Sequence, residues 1–346
     1  MNISQYLIYL PYRAAWRIGR LFRKKRTIHF YCAGYVDYVV IKSIIKHFPA
    51  AKIAAKNKNV QAELKQYGVD SIVYPTFPDV LVMPRHTARK YPEKKMTKIG
   101  LRHGAYHFKD FVKAARYHAF DVYFVTSQKE VELARLKGIT NTAGIGFPKL
   151  DAAFDGSWSE QALDRFREGL NLEKGKPVII FTATWDRSGM SAVDRWADRL
   201  AEITDEYNVL VTVHHWTSKT FQEQIANTPG ISFIKDKDIL PYLMTADVMI
   251  ADMSSIIAEF CALDKPIITF RVPDRKRTTE EIKNMLDDMT IRIDTFDELK
   301  DALREAVKYP DKLSKKRQHY NTVMFDQLDG QAGLRAADYI KGHFLN

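Results

Sequence analysis

Short apolar runs recur along this chain, separated by longer segments whose apolar positions fall at helical spacing. Thr27–Tyr31, Ala51–Ala55, Ser71–Tyr74, Asp79–Met83, Lys98–Leu101 and Val122–Val125 read as strands, with helices over Tyr38–His47 and Val60–Tyr67 between them. The segment Gly144–Asp151 closes this first series. After a polar helix over Glu160–Leu170 the pattern restarts with Pro177–Phe181 and continues through Asn208–Val213, Ile231–Ile234, Val248–Ala251 and Ile267–Phe270. Repeated β-α units in two halves predict an α/β protein with two Rossmann-like, doubly wound domains facing across a cleft. We place an N-terminal domain at 27–155, a C-terminal domain at 156–325 and a closing helix at 326–346, with a linker at about 149–175. A chain of 346 residues is long for one core, which agrees with two domains.

Residues 1–26 carry a different pattern. Leu7, Leu10, Ala14, Ile18 and Leu21 share one face of a helix, with Tyr6, Tyr9, Trp16 and Phe22 at its margins. Arg13, Arg17, Arg20, Arg23, Lys24, Lys25 and Arg26 supply positive charge. Interfacial aromatics beside a basic cluster suit a helix lying on an anionic membrane surface. The competing reading is a basic amphipathic helix packed on the protein's own core. Arginines interrupt the apolar part, which argues against a cleaved signal peptide. No uninterrupted apolar stretch reaches the roughly 18 residues of a membrane-spanning helix.

Charge narrows the partners. The formal net charge is +11, which implies an anionic partner: nucleic acid, anionic membrane or phosphorylated substrate. The charge gathers at one end and no nucleic-acid motif is present, so nucleic acid is not expected. Cys32 and Cys261 lie in apolar surroundings and read as buried small hydrophobes, without a disulfide framework or a metal site.

The chemistry gathers at the ends of strands. Val248–Ala251 reads as a buried strand, Asp252-Met253-Ser254-Ser255 breaks it with helix-start residues, and Ile256–Leu263 continues as a helix. A strand that turns through serines into a helix offers hydroxyls and unpaired backbone N–H groups, an anion site most natural for phosphate. Read alone, the turn is equally an ordinary serine-capped helix start. Arg102-His103-Gly104 follows another strand, and a His at a strand's end can act as a general base or serve structure. Thr184-Trp185-Asp186-Arg187 offers a hydroxyl and a guanidinium suited to phosphate. His214 and His215 follow a further strand; adjacent positions on extended chain point to opposite sides, so the pair does not bind metal. No GxGxxG or GxxxxGK[ST] motif occurs, which disfavours NAD-type and P-loop sites.

Together these residues resemble the CDP-glycerol glycerophosphotransferase family, the teichoic-acid glycerol-phosphate primase and polymerase type. The resemblance rests on His103-Gly104, Gly146-Phe147-Pro148-Lys149-Leu150-Asp151, Thr184-Trp185-Asp186-Arg187, Val211-Thr212-Val213-His214, Asp252-Met253-Ser254-Ser255, and Asp329-Gly330-Gln331-Ala332 with Arg335. It covers roughly residues 98–340. It implies a GT-B-like fold with the donor held mainly by the second domain. The implied reaction is metal-independent and uses no cofactor. An acceptor hydroxyl attacks the β-phosphate of CDP-glycerol or a similar CDP-polyol, and CMP leaves. An undecaprenyl-diphosphate-linked saccharide is the implied acceptor, which places the protein peripherally on the cytoplasmic face of the cell membrane.

On this resemblance His103 is the candidate base, and His214 contacts a phosphate and stabilises the leaving CMP. Thr184, Arg187, Ser254 and Ser255 bind the donor phosphates, while Asp252 orders the turn. Glu259 reaches a ribose hydroxyl or is a surface charge. Arg271, Arg275, Lys276 and Arg277 bind acceptor phosphate or form a solvated loop. The sequence departs from the family's Trp-His-Gly-Thr-Pro at Arg102-His103-Gly104-Ala105-Tyr106, which makes His107 a second candidate base. Asp186 precedes Arg187, which shifts that arginine from the family's usual place and opens the donor to CDP-ribitol or another CDP-linked polyol phosphate. The length of 346 residues points to a primer that adds one or a few units. The rivals are a GT-B glycosyltransferase or epimerase using a UDP-sugar, and a non-catalytic membrane- or polymer-binding protein.

Overall fold

Strands that are apolar on both faces need cover on both sides, which helical crossovers supply, and such strands run parallel. The computed structural model shows this arrangement twice. It describes residues 3–108, 110–276 and 278–345, with side-chain burial from Tyr9 onward; Arg277 and the side chains of Tyr6 and Leu7 lie outside the described residues.

The first sheet contains β1 (Ile28–Cys32), β2 (Lys52–Ala55), β3 (Ile72–Val73), β4 (Val80–Met83), β5 (Thr97–Leu101), β6 (Val122–Val125) and β7 (Thr142–Gly144). Its order is β3-β2-β1-β4-β5-β6-β7. The second contains β8 (Val178–Ala183), β9 (Asn208–Val213), β10 (Ile231–Phe233), β11 (Val248–Ala251), β12 (Ile267–Phe270) and β13 (Ile291–Ile293), in the order β10-β9-β8-β11-β12-β13. Every described ladder is parallel. Every residue of β1, β4, β6, β8, β11 and β12 is buried, as two-sided cover requires. In each sheet the chain steps outward on one side and then returns to the other. The reversal falls between β1 and β4 in the first sheet and between β8 and β11 in the second. Ligands of doubly wound folds bind beyond the strand ends at such points.

Two compact units result: Met1–His103, Phe111–Ala152 and Asp329–Asn346 in the first, and Gly104–Asp110 and Ala153–Leu328 in the second. The chain therefore enters the second unit briefly at 104–110, and its closing helix belongs to the first unit rather than standing apart. Asp151 explains that return. Its buried carboxylate accepts the N–H groups of Ala332 (2.9 Å) and Gly333 (2.7 Å), the first residues of the helix Ala332–Ile340, and the Ser43 hydroxyl. A buried carboxylate thus satisfies N–H groups that have no partner within the helix. Arg335 of that helix donates to the Ile145 carbonyl (3.0 Å) and grips both oxygens of Asp329 (2.9 and 2.7 Å).

The helix Ile3–Leu21 belongs to the first unit, and its faces are not shared as the spacing predicts. Tyr12 and Trp16 are buried in that unit's core, and each donates to a backbone carbonyl: Thr76 (2.6 Å) and Pro78 (2.5 Å). Trp16 is therefore a core residue and not an interfacial one, because burial satisfies both its ring and its N–H. Arg20 and Arg23 pair with buried Asp79, and Arg17 pairs with buried Glu93. The opposite stripe stays open, with Leu10 58%, Ile18 59%, Leu21 82% and Phe22 82% exposed. No described helix is long and apolar enough to cross a membrane. Cys32 and Cys261 are free and buried, and burial pushes both thiols above their usual range.

Candidate active site

The turn after β11 is built around one carboxylate. Asp252 is 1% exposed and accepts the Met253 N–H (2.6 Å), the Ala192 N–H (3.2 Å), and the N–H and hydroxyl of Thr184 (3.0 and 2.9 Å). Burial raises its pKa above the usual carboxylate value, and these hydrogen bonds oppose the rise. Thr184 also lies 2.8 Å from the Met253 carbonyl and is itself buried. Its hydroxyl is committed to holding the loop after β8 against the turn after β11.

That clamp presents the two serines. Ser254 and Ser255 are half-buried, and their carbonyls accept the N–H groups of Ile257 and Ala258. Among the described residues neither hydroxyl has a protein hydrogen-bond partner. The helix that follows, Ile256–Cys261, is only six residues long, so its dipole is small and the hydroxyls dominate. Gly104 lies directly against Ser255: a Cβ there would stand 2.5 Å from the Ser255 Oγ. Glu259, in the helix's first turn, is 3% exposed and so is no surface charge.

Neighbouring strands bring further groups. Strands β9, β8 and β11 are adjacent, so their following loops rise within about 10 Å of one another. The His214 N–H bonds to the Ala183 carbonyl (3.2 Å), and its Nδ1 accepts the Trp216 N–H (3.2 Å). His215 and the largely exposed Trp216 pack against its ring, and Trp185 stands edge-on to Trp216 at 5.5 Å. Arg187 is exposed and makes no side-chain bond among the described residues. Sequence reasoning missed the partner of its loop: Arg275 donates to the Gly189 carbonyl (3.1 Å) and lies flat on that glycine, where φ is +70°.

Thr184, Arg187, His214, Ser254, Ser255 and Glu259 all belong to the second unit, and His103 to the first. His103 follows β5, and its pKa is pushed down to about 4. Desolvation is the main cause, followed by the positive charges of Arg85 and Arg102 and by His86. His103 is therefore neutral and able to accept a proton at neutral pH. His107 is placed differently. It is buried in the second unit with Nε2 3.1 Å from Glu281, whose other oxygen accepts the Tyr106 hydroxyl (2.8 Å). That geometry anchors the segment 104–110 to the helix Glu280–Met289.

Comparison with known proteins follows the same residues. A family model described as CDP-Glycerol:Poly(glycerophosphate) glycerophosphotransferase matches residues 103–342. The teichoic acid poly(ribitol-phosphate) polymerase of Bacillus spizizenii is 29% identical over 217 residues, 58% of this chain and 34% of that protein. The teichoic acid poly(glycerol phosphate) polymerase of Bacillus subtilis is 25% identical over 146 residues, 40% of this chain and 19% of that protein. This chain thus matches 34% or less of those relatives' length. In fold, a histidine variant of the wall teichoic acid polymerase TagF aligns with TM-score 0.75 at 15% identity, over 99% of this chain and 98% of that one. The Staphylococcus aureus MnaA–UDP structure aligns with TM-score 0.63 at 11% identity, over 91% and 96%.

Proposed function

From the CDP-glycerol:poly(glycerophosphate) glycerophosphotransferase family, to which this chain belongs, we propose that it transfers a polyol phosphate from a CDP-linked donor to a hydroxyl of a lipid-linked saccharide. The product is a teichoic acid or related surface polymer. The observation that carries the reading is the pair of unpartnered hydroxyls, Ser254 and Ser255, on a turn locked by buried Asp252. A phosphate recognised there replaces the water those groups otherwise bind.

The acceptor oxygen forms a bond to the β-phosphorus of CDP-glycerol or CDP-ribitol. The bond from that phosphorus to the bridging oxygen breaks, and CMP leaves with the electron pair. His103 takes the acceptor's proton, a role its neutral state at pH 7 permits. His214 contacts a phosphate and stabilises the leaving CMP, and Arg187 offers an open guanidinium to the charge that grows on the diphosphate. Glu259 holds a ribose hydroxyl. Thr184 acts through Asp252 and not on the donor itself.

The same reading puts the protein at the cytoplasmic face of the membrane. Its support is the open stripe of Leu10, Ile18, Leu21 and Phe22 beside exposed Lys24, Lys25 and Arg26. Apolar side chains flanked by cations suit an anionic bilayer surface.

The test is CMP release from CDP-glycerol, CDP-ribitol and UDP-N-acetylglucosamine, with and without a lipid-linked disaccharide. Acceptor-dependent CMP release that vanishes in His103→Ala supports the transfer and its base. Turnover of the UDP-sugar alone overturns it in favour of the chemistry of the epimerase-like folds.

A further inference from the structure

The first unit carries a second group suited to anions. Its sheet reverses between β1 and β4, so the ends of those strands border the place where this fold holds a ligand. Arg85 stands two residues beyond β4. Its Nε donates to both oxygens of Asp37, at 2.8 and 2.9 Å, and the Asp37 carboxylate is fully buried and also accepts the Ala33 N–H (2.7 Å) beyond β1. The guanidinium is therefore held from behind. Its side chain remains 36% exposed, and its two Nη groups have no protein acceptor among the described residues. Arg102 is committed differently: it pairs with buried Glu130 at 2.7 Å and stacks on Phe111.

Adjacency links Arg85 to His103. Strands β4 and β5 are paired, with Met83 opposite Gly100, so Pro84–His86 and Arg102–His103 leave the sheet side by side. The His103 ring lies beside the Pro84 carbonyl. An outward fork of N–H groups, fixed by a buried carboxylate, matches the paired oxygens of a phosphate.

Resting on the transferase reading above, we propose that Arg85, positioned by Asp37, binds a phosphate group of the acceptor and so sets its hydroxyl at His103. The phosphate has two sources, a phosphoester next to the acceptor's terminal polyol or the diphosphate of its lipid carrier.

Glycerol 3-phosphate and geranyl diphosphate stand for these sources, and glycerol is the neutral control. Each is titrated against the full chain and followed by phosphorus NMR or calorimetry. Arg85→Gln should weaken whichever phosphate binds by roughly ten- to a hundredfold. Arg85→Lys, which keeps the ion pair but not the fork, should fall between. Asp37→Asn should weaken binding less than Arg85→Gln, and CDP-glycerol affinity should stay unchanged in all three. The tighter of the two phosphate probes identifies the source. Equal affinity in wild type and Arg85→Gln, or no phosphate binding by wild type, overturns the proposal. A wild type that binds these phosphates through Arg85 but neither binds CDP-glycerol nor releases CMP overturns the transferase reading instead. Thermal midpoints of each variant separate unfolding from lost recognition.

Discussion

Asp252 makes a sharp test of how the serine turn is held. Replacing it with Ala removes the acceptor of three backbone N–H groups: Thr184, Ala192 and Met253. Each buried donor left without a partner costs about 1–3 kcal/mol, so Asp252→Ala should cost at least about 3 kcal/mol before any cavity is counted. Asn behaves otherwise. With its oxygen in the place of Oδ1 it still accepts Thr184 N–H, Thr184 Oγ1–H and Met253 N–H, and only the Ala192 N–H faces the amide group. That loss is about 1–2 kcal/mol. The raised pKa of Asp252 adds a second effect. A carboxyl with a folded pKa above its unfolded value favours folding below the unfolded value, and this contribution is lost as pH rises through the folded value. At neutral pH the charge is therefore a burden that Asn does not carry, so Asp252→Asn should be the milder change. Urea unfolding followed by tryptophan fluorescence measures both, with the gap between wild type and Asn widening on acidification. Equal midpoints for Ala and wild type, or Asn as harmful as Ala, would refute the account.

Three further outcomes are expected. Gly333→Ala drives a Cβ onto Ser43, with the Ser43 carbonyl oxygen only 2.5 Å away, and should cost about 1–3 kcal/mol in thermal unfolding because backbone cannot rotate aside. Changing Leu10, Ile18, Leu21 and Phe22 together to Ser should lower binding to anionic vesicles at least about a hundredfold while the melting temperature holds, since these residues are exposed. The pH profile of kcat/KM should show its acid limb near 4 and no inflection at 6.5, because His103 stays neutral through that range; an inflection at 6.5 that disappears in His103→Asn would contradict it.

Much of the fold was legible because parallel strands buried on both faces leave uninterrupted apolar runs. Asn208–Val213, Val248–Ala251 and Ile267–Phe270 coincide with their strands. Ile291–Ile293 was not legible: three residues with Arg292 in the middle carry no such run. The N-terminal helix shows a deeper limit. Periodicity marks Leu10, Ala14, Ile18 and Leu21 as the apolar face, yet the face packed on the core is that of Tyr12 and Trp16. Two apolar stripes compete there, and the carbonyls that accept the Tyr12 hydroxyl and Trp16 N–H decide between them. The serine turn was readable from its own residues. The commitment of Thr184 to Asp252 was not, because it joins positions far apart in the chain. Arg85 is not legible either, since a lone arginine after a strand means little until the strand order puts it at the sheet's reversal.

The return of residues 329–346 to the first unit bears on how the protein is made. Translation delivers the whole of 153–328 before that segment emerges. The second unit's larger stretch is contiguous and can collapse on the ribosome, but Asp151 must wait for Ala332 and Gly333. Until they arrive, the first unit holds a carboxylate without its main donors. Its maturation is thus timed by synthesis of the second unit, an interval in which a chaperone has an unfinished surface to recognise.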